Sequence, residues 1–160
     1  MSYTNGLDNP ELYFQVKLYT GNNSSQSITL DGDEDMQPDW TWIKSRSGSS
    51  RDHLLFDAIR TPTKFLKSNS NSAEATASDT LTAFATDGFN VGANGGVNDN
   101  GETYASWNWK AGGSTSSNSD GDITSTVSVN TTAGFSIVSY TGNETTLQTV
   151  GHGLGVIPKW

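Results

Sequence analysis

Short alternations of apolar and polar residues recur along the chain, separated by clusters of Gly, Asn, Asp and Ser. A two-residue period is that of a strand with one buried face, and the intervening clusters carry turn chemistry. The pattern predicts strands over 13–19, 26–30, 39–45, 53–59, 63–67, 80–84, 88–92, 103–110, 122–129, 134–140, 146–150 and 156–160. Strands at this density suit a sandwich or barrel. The expected fold is all-β, an antiparallel β-sandwich or jelly roll. Only 73–84 (AEATASDTLTAF) reads as a short helix.

The end of the chain repeats its beginning. Residues 14–22 read FQVKLYTGN and residues 135–143 read FSIVSYTGN, with Phe, Tyr, Thr, Gly and Asn at the same places. Each copy runs on through a Gln (Gln26; Gln148) to a Pro-x-Trp (Pro38-Asp39-Trp40; Pro158-Lys159-Trp160). Such self-similarity marks a duplicated structural unit, so the C-terminal strands are expected to begin a second copy. A partial unit cannot bury a core alone. Its strands must lean on the first unit, on a neighbouring subunit, or on further sequence. The segment 112–121 (GGSTSSNSDG) has linker composition. The expected division is an N-terminal arm (1–12), a β-sandwich unit (13–111), a Gly/Ser-rich linker (112–121) and a partial second unit or strand-exchange extension (122–160). A single sandwich whose last strands resemble its first is the alternative.

Composition narrows the function. With 32% hydrophobic residues the core must be thin, and 10% aromatic content argues against disorder. The net charge of −8, with nine scattered Lys and Arg, offers no counter-ion release to drive nucleic-acid binding. Anionic membranes should not attract it either, and no apolar run approaches a membrane span or a signal sequence. There is no cysteine. A protein exposed outside a cell without a secretion signal can leave by lysis, as virion components do.

Tryptophan placement is the first candidate for chemistry. Trp40 and Trp42 alternate on one predicted strand, Trp107 and Trp109 on another, so each pair shares a face. One reading is an aromatic platform that stacks on sugar rings. The other is that the indoles fill the thin core between the sheets, which the low apolar content favours. The acidic run 31–35 (DGDED) is the second candidate. Asp31, Asp33 and Asp35 have the alternating spacing that can wrap a calcium ion, although Met36 and Trp42 stand where an EF-hand needs Gly and Glu. A solvated loop is the competing reading. The run 98–102 (NDNGE) reads first as an Asn-Gly turn.

Catalytic signals are weak. His53 and His152 are the only histidines, and His53 and Asp52, as neighbours on a strand, face opposite ways. There is no Gly-x-Ser-x-Gly elbow and no His/Cys cluster with metal spacing. Carboxylate pairs for glycoside cleavage depend on three-dimensional separation, and Asp52, Asp57 and Glu102 are the ones to follow. No catalytic residue is assigned and no cofactor beyond calcium is implied.

The stretches 134–143 (GFSIVSYTGN) and 150–160 (VGHGLGVIPKW) resemble a repeat in structural proteins of marine tailed bacteriophages. So do 37–46 (QPDWTWIKSR), 55–69 (LFDAIRTPTKFLKSN), 88–113 (GFNVGANGGVNDNGETYASWNWKAGG) and 123–135 (ITSTVSVNTTAGF). The resemblance implies lectin-like, concanavalin-like β-sandwich units. It also implies a place in the virion, in the tail, after synthesis in the host cytoplasm and release by lysis. It brings no catalytic residues. The implied role is a tail-fibre or tail-tip protein in host attachment, partnered by other virion proteins and host surface glycan. Fibres of this kind are commonly homotrimers, so self-association is expected. A capsid decoration or fibre adaptor without a ligand is the alternative, and a polysaccharide depolymerase a further one. In family members the motif around Pro158 runs on into another strand, whereas here it stops at Trp160.

Overall fold

The computed structural model describes residues 9–48 and 50–158. The chain enters through a single 3-10 turn, Pro10–Leu12, with Pro at its first position and Asn9 as cap. The Asn9 side-chain oxygen accepts from the Glu11 N–H at 3.1 Å. Twelve strands and one helical turn follow in these described residues: β1 (Phe14–Thr20), β2 (Gln26–Ile28), β3 (Trp40–Ser45), β4 (Leu54–Asp57), β5 (Lys64–Lys67), β6 (Ala75–Thr76), β7 (Leu81–Ala85), β8 (Gly88–Val91), α1 (Gly95–Asn98), β9 (Thr103–Trp109), β10 (Ser116–Asn118), β11 (Ser125–Asn130) and β12 (Phe135–Ser139). Every pairing between named strands is antiparallel. The all-β sandwich that the alternation predicts is the fold.

The strands form a six-stranded sheet in the order β1-β9-β3-β4-β5-β6, a three-stranded sheet β2-β8-β7, and a second three-stranded sheet β10-β11-β12. The first two close on one core. Ile43, Leu54, Phe56, Phe65 and Tyr104 from the large sheet meet Ile28, Leu81, Phe89 and Val91 from the small one, with Val97 of α1 filling one end. Tyr19 adds its ring from β1, stacked 5.2 Å from Tyr104 and edge-on to Phe89 at 6.2 Å. Its hydroxyl donates to the Val97 carbonyl at 2.7 Å. Phe56, Phe65 and Phe89 thus fill the interior. The tryptophans do not: at 40, 42, 107 and 109 the buried positions are the intervening ones, Thr41, Ile43, Ser106 and Asn108.

That inward face tolerates polar residues because they satisfy one another. The Thr41 hydroxyl donates to Asn108 Oδ1 at 3.0 Å, and Asn108 Nδ2 donates to the Gln15 carbonyl and to Ser106 Oγ. Buried polar groups cost little when paired in this way. The reading of the indoles as core filler is therefore corrected.

Four further expectations change. The segment 73–84 is not helical; it contributes β6 and the start of β7, divided by a turn in which Thr80 bonds back to the Ala77 carbonyl. The single described α-helical turn is at Gly95–Asn98 instead, capped by Asn94. The glycine-rich segment 112–121 contains strand β10, paired with β11. The predicted strand at 146–150 is reduced to one parallel bridge, Ile123 to Val150, and 156–158 are irregular. Residues 159 and 160, including the Trp160 that matches Trp40 in the repeat, lie outside the described residues.

The repeat is visible as geometry over one strand. Phe14 and Phe135 each open a strand at the edge of a sheet, β1 and β12. Beyond the strand the copies diverge. A Cβ on Gly21 would run into the Asp99 carbonyl oxygen, whereas no atom lies within 4 Å of the corresponding point on Gly142.

Candidate functional site

Residues directly opposed in an antiparallel pair share a face, so the register fixes what the outer face of the six-stranded sheet carries. One row runs Phe14, Trp109, Trp40, Asp57 across β1, β9, β3 and β4. The next runs Val16, Trp107, Trp42, Leu55, Leu66 across five strands. The result is a belt of rings. Phe14 lies 4.7 Å from Trp109, Trp109 4.6 Å from Trp40, Trp40 6.4 Å from Trp42, and Trp42 5.4 Å from Trp107. All four indoles are half-buried. The structure therefore gathers Trp40, Trp42, Trp107 and Trp109 into one surface, which the period-2 alternation alone places only in two separate pairs.

The third sheet leans on one end of this belt. Phe135 of β12 rests on Trp109 and Trp40, at 6.1 and 6.3 Å. The connection from the sandwich is fastened by Asp39, whose carboxylate accepts from the Ala111 and Gly113 N–H groups at 2.8 and 3.2 Å. Between β12 and the outer face lies a groove of about 430 Å³. Trp40, Leu55, Leu66, Phe135 and Tyr140 give it apolar walls, and Asp57 with Arg60 closes one side.

The polar wall is rigid. Arg60 Nε donates to Asp57 Oδ2 at 2.5 Å and the Arg60 backbone N–H to Oδ1 at 2.8 Å. Its two terminal nitrogens reach Glu74 and the Leu55 carbonyl, each at 3.2 Å. Flat apolar rings beside a few fixed polar groups are the makings of a small-ligand site. A pyranose has just that duality, with C–H faces for the rings and hydroxyls for the fork. Sequence reading missed Arg60, Leu55, Leu66 and Tyr140 as groove residues. The signal for Tyr140 and Phe135 was their place in the repeat.

The other candidates are engaged elsewhere. Trp42 Nε1–H donates to His53 Nδ1 at 3.2 Å. Asp52 is half-buried and pairs with Lys67 at 2.7 Å; the hydrogen bond from that lysine, helped by Asn69, lowers its pKa. Glu102 Oε2 accepts from Ser45 Oγ and Tyr104 OH, both at 3.2 Å, and faces Arg51 Nε at 3.7 Å. Asp52, Asp57 and Glu102 are thus each held by a different cation. Asp31 pairs with Lys17, and Glu11 accepts from the Asp33 N–H at 3.0 Å. Asp31, Asp33 and Asp35 are not drawn together, and among the described residues no three His, Cys, Asp or Glu side chains are placed to hold a metal ion.

A larger hollow of about 630 Å³ lies among 120–121, 149–153 and 155–158. Its walls are largely loop backbone, glycine at four positions, and it lacks the convergence of rings and fixed charges seen in the groove. The aromatic groove is the better candidate.

Compared with known proteins, residues 9–160 match the family described as a domain of unknown function (DUF7483). No curated protein and no solved structure matches the chain.

Proposed function

This chain belongs to the DUF7483 family, and we propose that it is a non-enzymatic bacteriophage virion structural protein, a tail-fibre or tail-tip component that serves host attachment. Two things support the reading. One is the resemblance of most of the chain to structural proteins of marine tailed phages. The other, which carries it, is the outer sheet face itself. Five apolar residues cross five strands in one row, four indoles are half-exposed, and the groove between Trp40 and Tyr140 carries the fixed Asp57–Arg60 pair. The part of this apolar face that the third sheet leaves uncovered is a contact surface. Its chemistry suits the saccharides of a host surface. The protein's place on this reading is the virion tail, reached after synthesis in the host cytoplasm and leaving by lysis.

A second reading is an adaptor that joins other virion proteins without binding a glycan. It is favoured by the exposure of Phe14, Val16 and Leu18 on β1, apolar side chains with no polar groups among them to greet a sugar. Cryo-electron microscopy of intact particles tests both. The expected result is density for this chain on the tail, with the indole face open to solvent. Density on the head shell contradicts attachment, and burial of the indole face against another virion protein selects the adaptor.

A further inference from the structure

The inner edge of β1 is bonded to β9, and its other edge has no partner strand among the described residues. Which backbone groups point outward can be read from the bonds at each end. The Tyr13 carbonyl accepts from Lys110 N–H, and Gly21 both donates to Glu102 and accepts from Gly101, so odd positions face β9. Backbone groups alternate along an unbulged strand, and the β1–β9 register is continuous from Phe14 to Thr20. The N–H and C=O groups of Phe14, Val16, Leu18 and Thr20 therefore point away from the sheet.

Natural proteins blunt such edges with charge, proline or bulges. This one has no proline, no bulge and no charge on the outer face, and its one inward-pointing charge, itself a device of this kind, is neutralised by an ion pair. Phe14, Val16 and Leu18 are 37, 44 and 55% exposed, and Lys17, the only charge on the strand, points to the inner side and is paired with Asp31.

We propose that β1 pairs with β1 of a second copy of this chain, antiparallel and about a two-fold axis at Val16. The sequence of the strand selects that register. Centred on Val16, Phe14 lies opposite Leu18 of the other copy, Val16 opposite Val16, and Lys17 opposite Gln15. Centred on Lys17, two ammonium groups would face each other, which is unfavourable in a cross-strand pair. Centred on Leu18, Phe14 would have no partner on the strand. The Val16 register pairs three apolar couples through the outward N–H and C=O groups, and such isologous two-fold contacts are the commonest in soluble oligomers.

The consequence is one continuous twelve-stranded sheet. Opposed residues share a face, so the indole belts of both copies lie on the same side and join through Phe14, Val16 and Leu18. The grooves at β12 stay open at the far ends. The inference does not depend on the phage reading, since it uses only the edge and its residues.

The chain has no cysteine, which makes the register directly testable on the full protein. Val16→Cys places two thiols opposite each other, within the roughly 4.4–6.8 Å Cα separation a disulfide spans, and mild oxidation should give a covalent dimer. Phe14→Cys and Leu18→Cys should cross-link poorly alone and efficiently when mixed. Val16→Lys sets two cations on the axis. It should convert a dimer in sedimentation equilibrium to a monomer while circular dichroism stays that of the parent and Tm, unlike the parent's, no longer depends on protein concentration. A wild-type protein that is monomeric to several hundred micromolar, a trimer, a Val16→Lys variant that still dimerises, or an efficient Leu18–Leu18 cross-link overturns the proposal.

Discussion

Phe135 stacks on Trp109 with ring centroids 6.1 Å apart and planes inclined by 21°. Phe14, which holds the same place in the first copy of the repeat, packs on the same indole at 4.7 Å. Trp109 thus joins the two copies. Phe135 is half-buried, so truncating it removes part of a phenyl burial together with two ring contacts. Phe135→Ala should cost about 2 kcal/mol and loosen β10-β11-β12 before the sandwich. Urea unfolding followed by tryptophan emission should broaden or split, because the indole belt senses the third sheet first.

The two glycines of the repeat should respond differently. At Gly21 a Cβ meets the Asp99 carbonyl oxygen, which is backbone and cannot step aside. Gly21→Ala should destabilise by about 1–3 kcal/mol, the range for overpacking. At Gly142 no atom lies within 4 Å and φ is not positive. Gly142→Ala should stay within about 0.5 kcal/mol of the parent. Paired denaturation curves check the contrast.

Asn98 is fully buried at the end of α1 and ties three segments together. Its Oδ1 accepts from Asn22 N–H at 2.9 Å and Gln26 Nε2 at 2.6 Å, while Nδ2 donates to the Ser24 and Gly92 carbonyls at 2.6 and 2.7 Å. Asn98→Ala leaves these partners unpaired, and a loss of about 3 kcal/mol is expected, since each buried orphan costs about 1–3 kcal/mol. Asn98→Asp should fare no better, because a carboxylate would face two carbonyl oxygens. The midpoint of urea unfolding reads both.

Alkali should weaken the fold through two tyrosines. Burial pushes Tyr19 well above its usual range, and burial pushes Tyr104 to about 12. Ionised tyrosine is favoured in the unfolded chain from about pH 10, while the folded chain keeps its protons. The unfolded state therefore binds fewer protons there, and stability falls as pH rises. The contribution is intact below pH 10 and declines above it, the share of Tyr104 being lost on the way to pH 12. Urea midpoints between pH 8 and 12 should show this decline, and Tyr19→Phe should flatten it.

The strands were legible because period 2 survives in short windows, and β1, β3, β9, β11 and β12 fall where the alternation puts them. Sidedness was not. In 40–45 the heavier parity is that of Trp40 and Trp42, and hydrophobicity alone points it inward. The chain instead buries Thr41 and Ile43, since Thr41 finds Asn108 and Asn108 finds Gln15 and Ser106, partners supplied by strands far away in sequence. Sheet order was hidden for the same reason: β9 inserts between β1 and β3, both of which lie far from it in sequence. The groove needed the placement of β12 over Leu55 and Leu66, which no local pattern encodes. The segment 146–150 failed as a strand because, among the described residues, no second strand lies beside it beyond the single bridge to Ile123.

The proposed contact with a saccharide lies at the indole face and its groove. Titrating the folded protein with purified surface polysaccharides of marine bacteria, followed by tryptophan emission, tests it directly. The expected result is a saturable change in emission with at least one polysaccharide. Tyr140→Ala, at a side chain already 57% exposed, should weaken that binding about tenfold, or about 1.4 kcal/mol, with no change in Tm. Emission that stays flat to millimolar repeat units across the panel, or binding indifferent to both Tyr140→Ala and Trp40→Phe, would contradict it.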